Sequence, residues 1–259
     1  MHGERARVFG RKGTGGPAEA VPIDGREWVK GLLLRTDRPG SMEQAQALGL
    51  ELFDNAYQFM KDERGVRIED LVALLGSVGG HFCLTAVLDR LSESRRTPQS
   101  IGMIVMAGND GHTYYFGDAP NWLLCEAPYS LISLLFGAAH EHGAAVNIDM
   151  IHAEMRMLAQ QVGTPQFLDL DLPESHVTDS VCNWVRVFAP IVKGTVLRGY
   201  APNVRLPIVV GFALQKAIDT GRHALDPMTI ATIAMKCAMR ASKIDPQWIA
   251  APQRAADAA

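Results

Sequence analysis

The amino-acid sequence predicts a mainly α fold of the α+β class: a single-domain, bundle-like set of helices with a small antiparallel β-hairpin or sheet inserted around residues 101–125. Two observations predict it. Most of the chain places apolar residues at helical spacing between recognisable start and stop signals. One segment instead joins a β-branched apolar run to Asn109-Asp110-Gly111, which is a strong hairpin turn signal.

Residues 26–246 are predicted to form the domain. Residues 1–25 are rich in glycine and poor in apolar residues, so we expect a flexible N-terminal tail there. Residues 247–259 are expected to form a flexible C-terminal tail. The 259 residues suit one large domain, and no internal repeat or long linker divides them.

The first strong helix is predicted to begin at Ser41, where Ser41-Met-Glu-Gln44 matches a capping box. The second covers about 67–91 and is apolar on every side, which indicates a buried helix. Gly76, Gly80 and Cys83 interrupt its bulky residues, and we expect this small-residue face to let another helix approach closely.

The hairpin is predicted to pair residues 103–107 with residues 112–116 as antiparallel strands. Residues 122–125 are expected to add a third strand. Residues 167–172 alternate apolar and acidic side chains, a pattern typical of a half-buried strand. The remaining segments are predicted to be helices, at about 128–142, from a cap at Asn147 to 162, at 178–197 with a kink at Pro190, at 207–221, and from a cap at Asp226 to about 244.

Composition excludes several classes of protein. The net charge of −3 gives no electrostatic footprint for nucleic acid. The N-terminus lacks a signal sequence and no continuous apolar stretch reaches about 18 residues, so no membrane partner is expected. The widely spaced cysteines predict reduced, buried thiols in a cytoplasmic protein rather than disulfides or a zinc site. They are Cys83, Cys125, Cys182 and Cys237.

The aromatic segment 112–122 is the strongest candidate for a binding surface. It concentrates aromatic rings beside turn-forming and polar residues, which is the composition of a recognition site. Neighbouring strand residues point to opposite faces, so one of its two adjacent tyrosines should enter the core while the other faces a cleft. The preferred function is therefore that of a binding or regulatory protein whose small ligand or protein partner contacts Tyr114, Tyr115, Asp118, Asn121 and Trp122.

Two other functions stay open. An enzyme could build a catalytic site from His81, His112 and Asp118 if the hairpin packed over the second helix, although a lone histidine on an apolar face is more often a hydrogen-bonded core residue. A structural subunit of a homo-oligomer, such as a homodimer, would use its apolar helices as an interface.

No cofactor and no metal are expected. The two histidines of His140-Glu141-His142 lie two positions apart on a helix and point to different faces. His152-Ala153-Glu154 matches half of a zinc deaminase signature, but the cysteine half is missing. A solvated helix face is the preferred interpretation of that segment.

Overall fold

The computed structural model describes residues 22–173, 177–196 and 203–251. The mainly α fold with one small antiparallel sheet is confirmed. The predicted tails lie largely outside the described residues, but residues 246–250, where the C-terminal tail was expected to begin, form a helix. The elements are α1 (Gly25–Thr36), α2 (Ser41–Met60), α3 (Ile68–Ser94), β1 (Ile104–Ala107), β2 (Thr113–Phe116), α4 (Asp118–Asn121), α5 (Leu131–Glu141), α6 (Ile148–Gln161), α7 (Val181–Val196), α8 (Leu206–Gly221), α9 (Pro227–Ala241) and α10 (Pro246–Ala250).

Helix α3 is the centre of the fold, with α7, α8 and α9 packed around it. Its predicted small-residue face lies against α9. A Cβ atom on Gly76 would come within 2.9 Å of the Cα atom of Ala234, and one on Gly80 within 2.7 Å of the Cα atom of Ala238. Real Cβ atoms do not approach backbone so closely, so only glycine permits this interface.

Some helix starts follow the sequence signals and others do not; α7, for example, begins at Val181 rather than at 178. Asn147 and Asp226 cap α6 and α9 as predicted. The prediction of a capping box at Ser41 is wrong, because Gly40 is the cap and Ser41 lies inside the first turn of α2. The Ser41 Oγ accepts from the Arg38 N–H at 2.8 Å. Helix α5 begins at Leu131 rather than at 128, because Ser130 is its cap.

The predicted hairpin is confirmed. Its register pairs Ile104 with Phe116 and Ala107 with Thr113 across the turn at 109–111. The other edge of β2 contacts the segment that follows α9, where the Tyr115 N–H donates to the Lys243 carbonyl at 2.8 Å. Strand β2 is therefore held between β1 and the segment linking α9 to α10.

The two further predicted strands are wrong. Trp122–Glu126 form a single π-helical turn that joins α4 to the segment before α5. The segment 167–172 starts in a 3₁₀ turn and continues as irregular backbone. Side chains of α9 bind the carbonyls that a sheet neighbour would have bound: Lys236 Nζ donates to Leu170 at 2.8 Å, and Arg240 Nε to Asp169 at 3.1 Å.

Within the described ranges, two segments are long and apolar enough to cross a membrane. They are α3, with a mean hydropathy of 1.9 over its most apolar window, and residues 118–141, with 1.4. The sequence prediction missed both segments, because it considered continuous apolar runs rather than mean hydropathy over a window. The α3 window is 94% buried inside the protein, as the core helix of a globular fold would be.

Candidate functional site

A cleft opens where α3, β2, α7 and α10 meet. Its volume is about 610 Å³, within the range of roughly 300–1,000 Å³ that small-molecule sites occupy. Both apolar and polar side chains line it, and all four elements contribute. The lining residues are His81, Thr85, Leu88, Asp89, Tyr115, Val185, Arg186, Ala189, Pro190, Lys193, Asp245, Pro246, Gln247, Ile249 and Ala250.

His81 is the most buried titratable group of the cleft, with 7% of its surface exposed. It follows Gly80 on α3, and the helical turn of roughly 100° per residue moves it from the α9 face to the cleft. Its Nδ1 atom is buried and has no hydrogen-bond partner among the described residues. Burial, with a smaller effect of the Lys193 charge, lowers the pKa of His81 from 6.5 to about 4. The ring is therefore neutral at physiological pH.

The two adjacent tyrosines of β2 take opposite directions. Tyr114 is fully buried, with its hydroxyl donating to Asp110 Oδ2 at 2.6 Å and its ring edge on Phe167 at 4.7 Å between centroids. Tyr115 is half-buried and lines the cleft. Partial burial and the nearby Asp245 carboxylate raise the pKa of Tyr115, so its hydroxyl stays protonated and can donate a hydrogen bond.

Helix α7 supplies two cations. Arg186 ties α7 to α10, because its Nε donates to the Ile249 carbonyl at 3.0 Å and its Nη1 to Asn183 Oδ1 at 3.3 Å. Lys193, two turns further on, is exposed and forms no ion pair within the described ranges. Pro190 lies between them inside the helix, so the Arg186 carbonyl lacks the donor that a regular helix would give it.

The acidic residues of the cleft already have roles within the protein. The Asp245 carboxylate caps α10 by accepting from the Gln247 N–H at 2.9 Å. Asp89 also has a protein partner. The cleft therefore has engaged acids on α3 and at the start of α10, and an ammonium on α7 that no described acid neutralises.

The three candidate catalytic residues do not meet in this cleft. His112 stacks on Trp248, with 3.7 Å between ring centroids and 8° between planes. Asp118 Oδ1 lies 3.5 Å from Arg26 Nη2. Of the three, only His81 lines the cleft.

The predicted binding residues are likewise dispersed. Tyr115 lies at the cleft and Tyr114 in the core, while Asp118 pairs with Arg26. Asn121 Oδ1 accepts from Nζ of Lys243 at 2.6 Å, and burial lowers the pKa of this lysine to about 8.

Trp122 lies elsewhere, in an apolar groove of about 260 Å³ between α1 and the start of α5. Exposed Leu34 and Tyr129 also line that groove. No polar side chain of the groove is both buried and without a partner among the described residues.

A buried ionic cluster corrects the interpretation of His152-Ala153-Glu154. His152 is exposed, but Glu154 is 5% exposed and pairs with the fully buried Arg240. Lys236 Nζ lies 3.9 Å from the same carboxylate. A charge inside an apolar helix, at Lys236 and Arg240, was the only sequence signal for this cluster.

Lys193, Asp89 and Asp245 were missed as candidates. Spacing could have indicated Lys193, since residues seven apart lie on one helix face, as Arg186 and Lys193 do.

The described residues contain no group of three side chains suited to holding a metal ion. The four cysteines form no disulfide; three are buried and Cys125 is half-buried. Comparison of the chain with protein-family models, with curated proteins and with solved structures gives no match.

Proposed function

We propose that this protein binds a small organic molecule in the cleft between α3, β2, α7 and α10. The observation that supports it most is the His81 imidazole, which is buried in the cleft wall with an unpartnered Nδ1. Buried polar atoms are almost always hydrogen-bonded, and an exception in a cavity is the feature that a bound ligand would explain. Tyr115 is the residue of the aromatic segment 112–122 that lines this cleft.

A binding role is favoured over catalysis. A general base works best with a pKa near the operating pH, whereas the pKa of His81 is about 4. Neither His112 nor Asp118 lies in the cleft to assist it. The unpaired cysteines support a cytoplasmic location for this binding protein.

A second copy of the chain is the alternative partner, because β1 exposes Ile104, Val105 and Met106. An exposed apolar edge strand is a template for pairing with another strand. Sedimentation of wild type and Val105→Lys tests this: a dimer that the substitution dissociates supports it, and a wild-type monomer at high concentration contradicts it.

Fragment binding tests the proposed cleft. Phenol, indole and phenylacetamide would be titrated into the labelled protein and followed by amide chemical shifts. Leu88→Trp places a large ring at the cleft wall, whereas Ile148→Trp adds the same ring at an exposed position of α6. We expect at least one fragment to shift the cleft residues, with binding lost in Leu88→Trp alone. Equal binding to both variants, or no shifts at the cleft, would contradict the proposal.

A further inference from the structure

We infer that the ligand of this cleft is an organic monocarboxylate, whose carboxylate is bound by Lys193 and whose apolar body lies against α3 and α7. The inference rests on the proposed function and specifies the chemistry of the ligand. It follows from which charges in the cleft are already engaged, and from which hydrogen-bond groups remain.

The available positive charge is on α7. Arg186 donates to two protein acceptors, which fixes its guanidinium against Asn183 and the Ile249 carbonyl. Lys193 has no ion-pair partner within the described ranges. Asp245 is occupied as a helix cap and Asp89 has its own protein partner. An anionic ligand would therefore give the Lys193 ammonium a partner of opposite charge.

Two neutral donors complement the ammonium. A neutral imidazole carries one N–H, and the tautomer protonated at Nδ1 directs it from the unpartnered atom of His81. The Tyr115 hydroxyl carries another. A carboxylate can accept several hydrogen bonds, and bonds to a charged acceptor are the stronger ones. His81, Tyr115 and Lys193 come from three different elements of the cleft wall. The charged and titratable groups around His81 on these walls are Asp89, Tyr115, Arg186, Lys193 and Asp245.

The number of charges favours a carboxylate over a phosphate. Phosphate sites typically combine several backbone N–H groups or an open guanidinium fork. In this cleft the available cation is the flexible Lys193 ammonium, because Arg186 already donates from Nε and Nη1 to protein acceptors. The rest of the wall would hold an apolar body, through Leu88, Val185, Ala189, Pro190, Ile249 and Ala250.

Matched probes test the charge of the ligand. Phenylacetate, phenylacetamide, phenylalanine and phenyl phosphate share one ring and differ in charge, and dissociation constants would be measured by NMR titration. We expect phenylacetate to bind about tenfold more tightly than phenylacetamide, the effect of one charge-assisted hydrogen bond. Lys193→Gln should remove that difference, while Lys61→Gln, an exposed lysine outside the cleft, should preserve it.

A second measurement needs no variant. The His81 ring signals report its pKa, which should rise on binding phenylacetate, because a nearby anion favours the imidazolium, and should not rise with phenylacetamide. A preference for phenylacetate that Lys193→Gln leaves unchanged would overturn the inference. So would tighter binding of phenylacetamide, phenylalanine or phenyl phosphate, although the proposed function would stand. If none of the four probes shifts the cleft residues, the inference fails. If phenol and indole also leave those residues unshifted, the proposed function fails with it.

Discussion

The packed interior and the cleft meet at two pairs of consecutive residues. In each pair, one residue packs in the interior and the next lines the cleft. On α3, Gly80 lies against the backbone of α9 while His81 lies in the cleft wall. On β2, Tyr114 is fully buried with its hydroxyl bonded while Tyr115 lines the cleft. Among the described residues, three buried side-chain polar atoms lack a hydrogen-bond partner: Gln161 Oε1, Trp184 Nε1 and His81 Nδ1. Of these three residues, His81 is the one that lines the cleft. Stability and binding are therefore expected to separate at adjacent positions.

The tyrosine pair should show the largest difference. Tyr114→Ala removes a fully buried ring and leaves the space beside Phe167 unfilled, so we expect a loss of about 4 kcal/mol in the free energy of unfolding. Tyr115→Ala removes a half-buried ring and should cost about 1 kcal/mol or less. Urea denaturation of both variants measures the contrast. Similar losses would show that β2 does not separate core from cleft.

The α3–α9 interface should be nearly as sensitive. Gly80→Ala forces a methyl group onto the Ala238 backbone, which cannot move without separating the helices, so a loss of about 3 kcal/mol is expected. Gly137→Ala is the matched control, since it lies in α5 with no atom near its added methyl group. The control should gain about 0.5–1 kcal/mol from helix propensity. A tolerated Gly80→Ala would contradict the close approach.

The sequence could predict one side of this comparison better than the other. Apolar residues around α3 indicated a buried helix, glycine spacing indicated a close neighbour, and strand alternation divided Tyr114 from Tyr115. None of these local patterns specifies which distant segments complete the cleft. Lys193 and Asp245 line the same cleft as His81 because α7 packs against α3 and α10 packs against α7. The pairing of Glu154 with Arg240 spans 86 residues and has the same cause.

The alternating pattern at 167–172 failed for a related reason. It recorded one side packed against the protein, but side chains of α9, rather than a second strand, bind its carbonyls. The hairpin succeeded because its turn and both strands are local in sequence. Contacts that depend on one short segment were predictable, and those that depend on the crossing of distant helices were not.

Acid should lower the stability of the fold through His81. The folded-state pKa of His81 is about 4 and the unfolded value 6.5, so between these values the unfolded chain binds a proton that the folded chain does not. The stability from this group is complete above about pH 6.5 and is lost as pH falls toward 4, up to about 3 kcal/mol. His81→Phe should lack this loss. Stability curves of wild type and His81→Phe that stay parallel between about pH 4 and 6.5 would show that the pKa of His81 is not lowered.

The role of the unpaired imidazole can be measured in His81→Phe at neutral pH without ligand. A phenylalanine has nearly the same shape and leaves no unpaired nitrogen, so an imidazole retained for a ligand should cost stability in the free protein. The free energy of unfolding in urea should therefore rise by about 1 kcal/mol in this variant. A loss of about 1 kcal/mol or more would instead show that His81 is a hydrogen-bonded core residue, which would remove the main observation in favour of a binding site in the cleft.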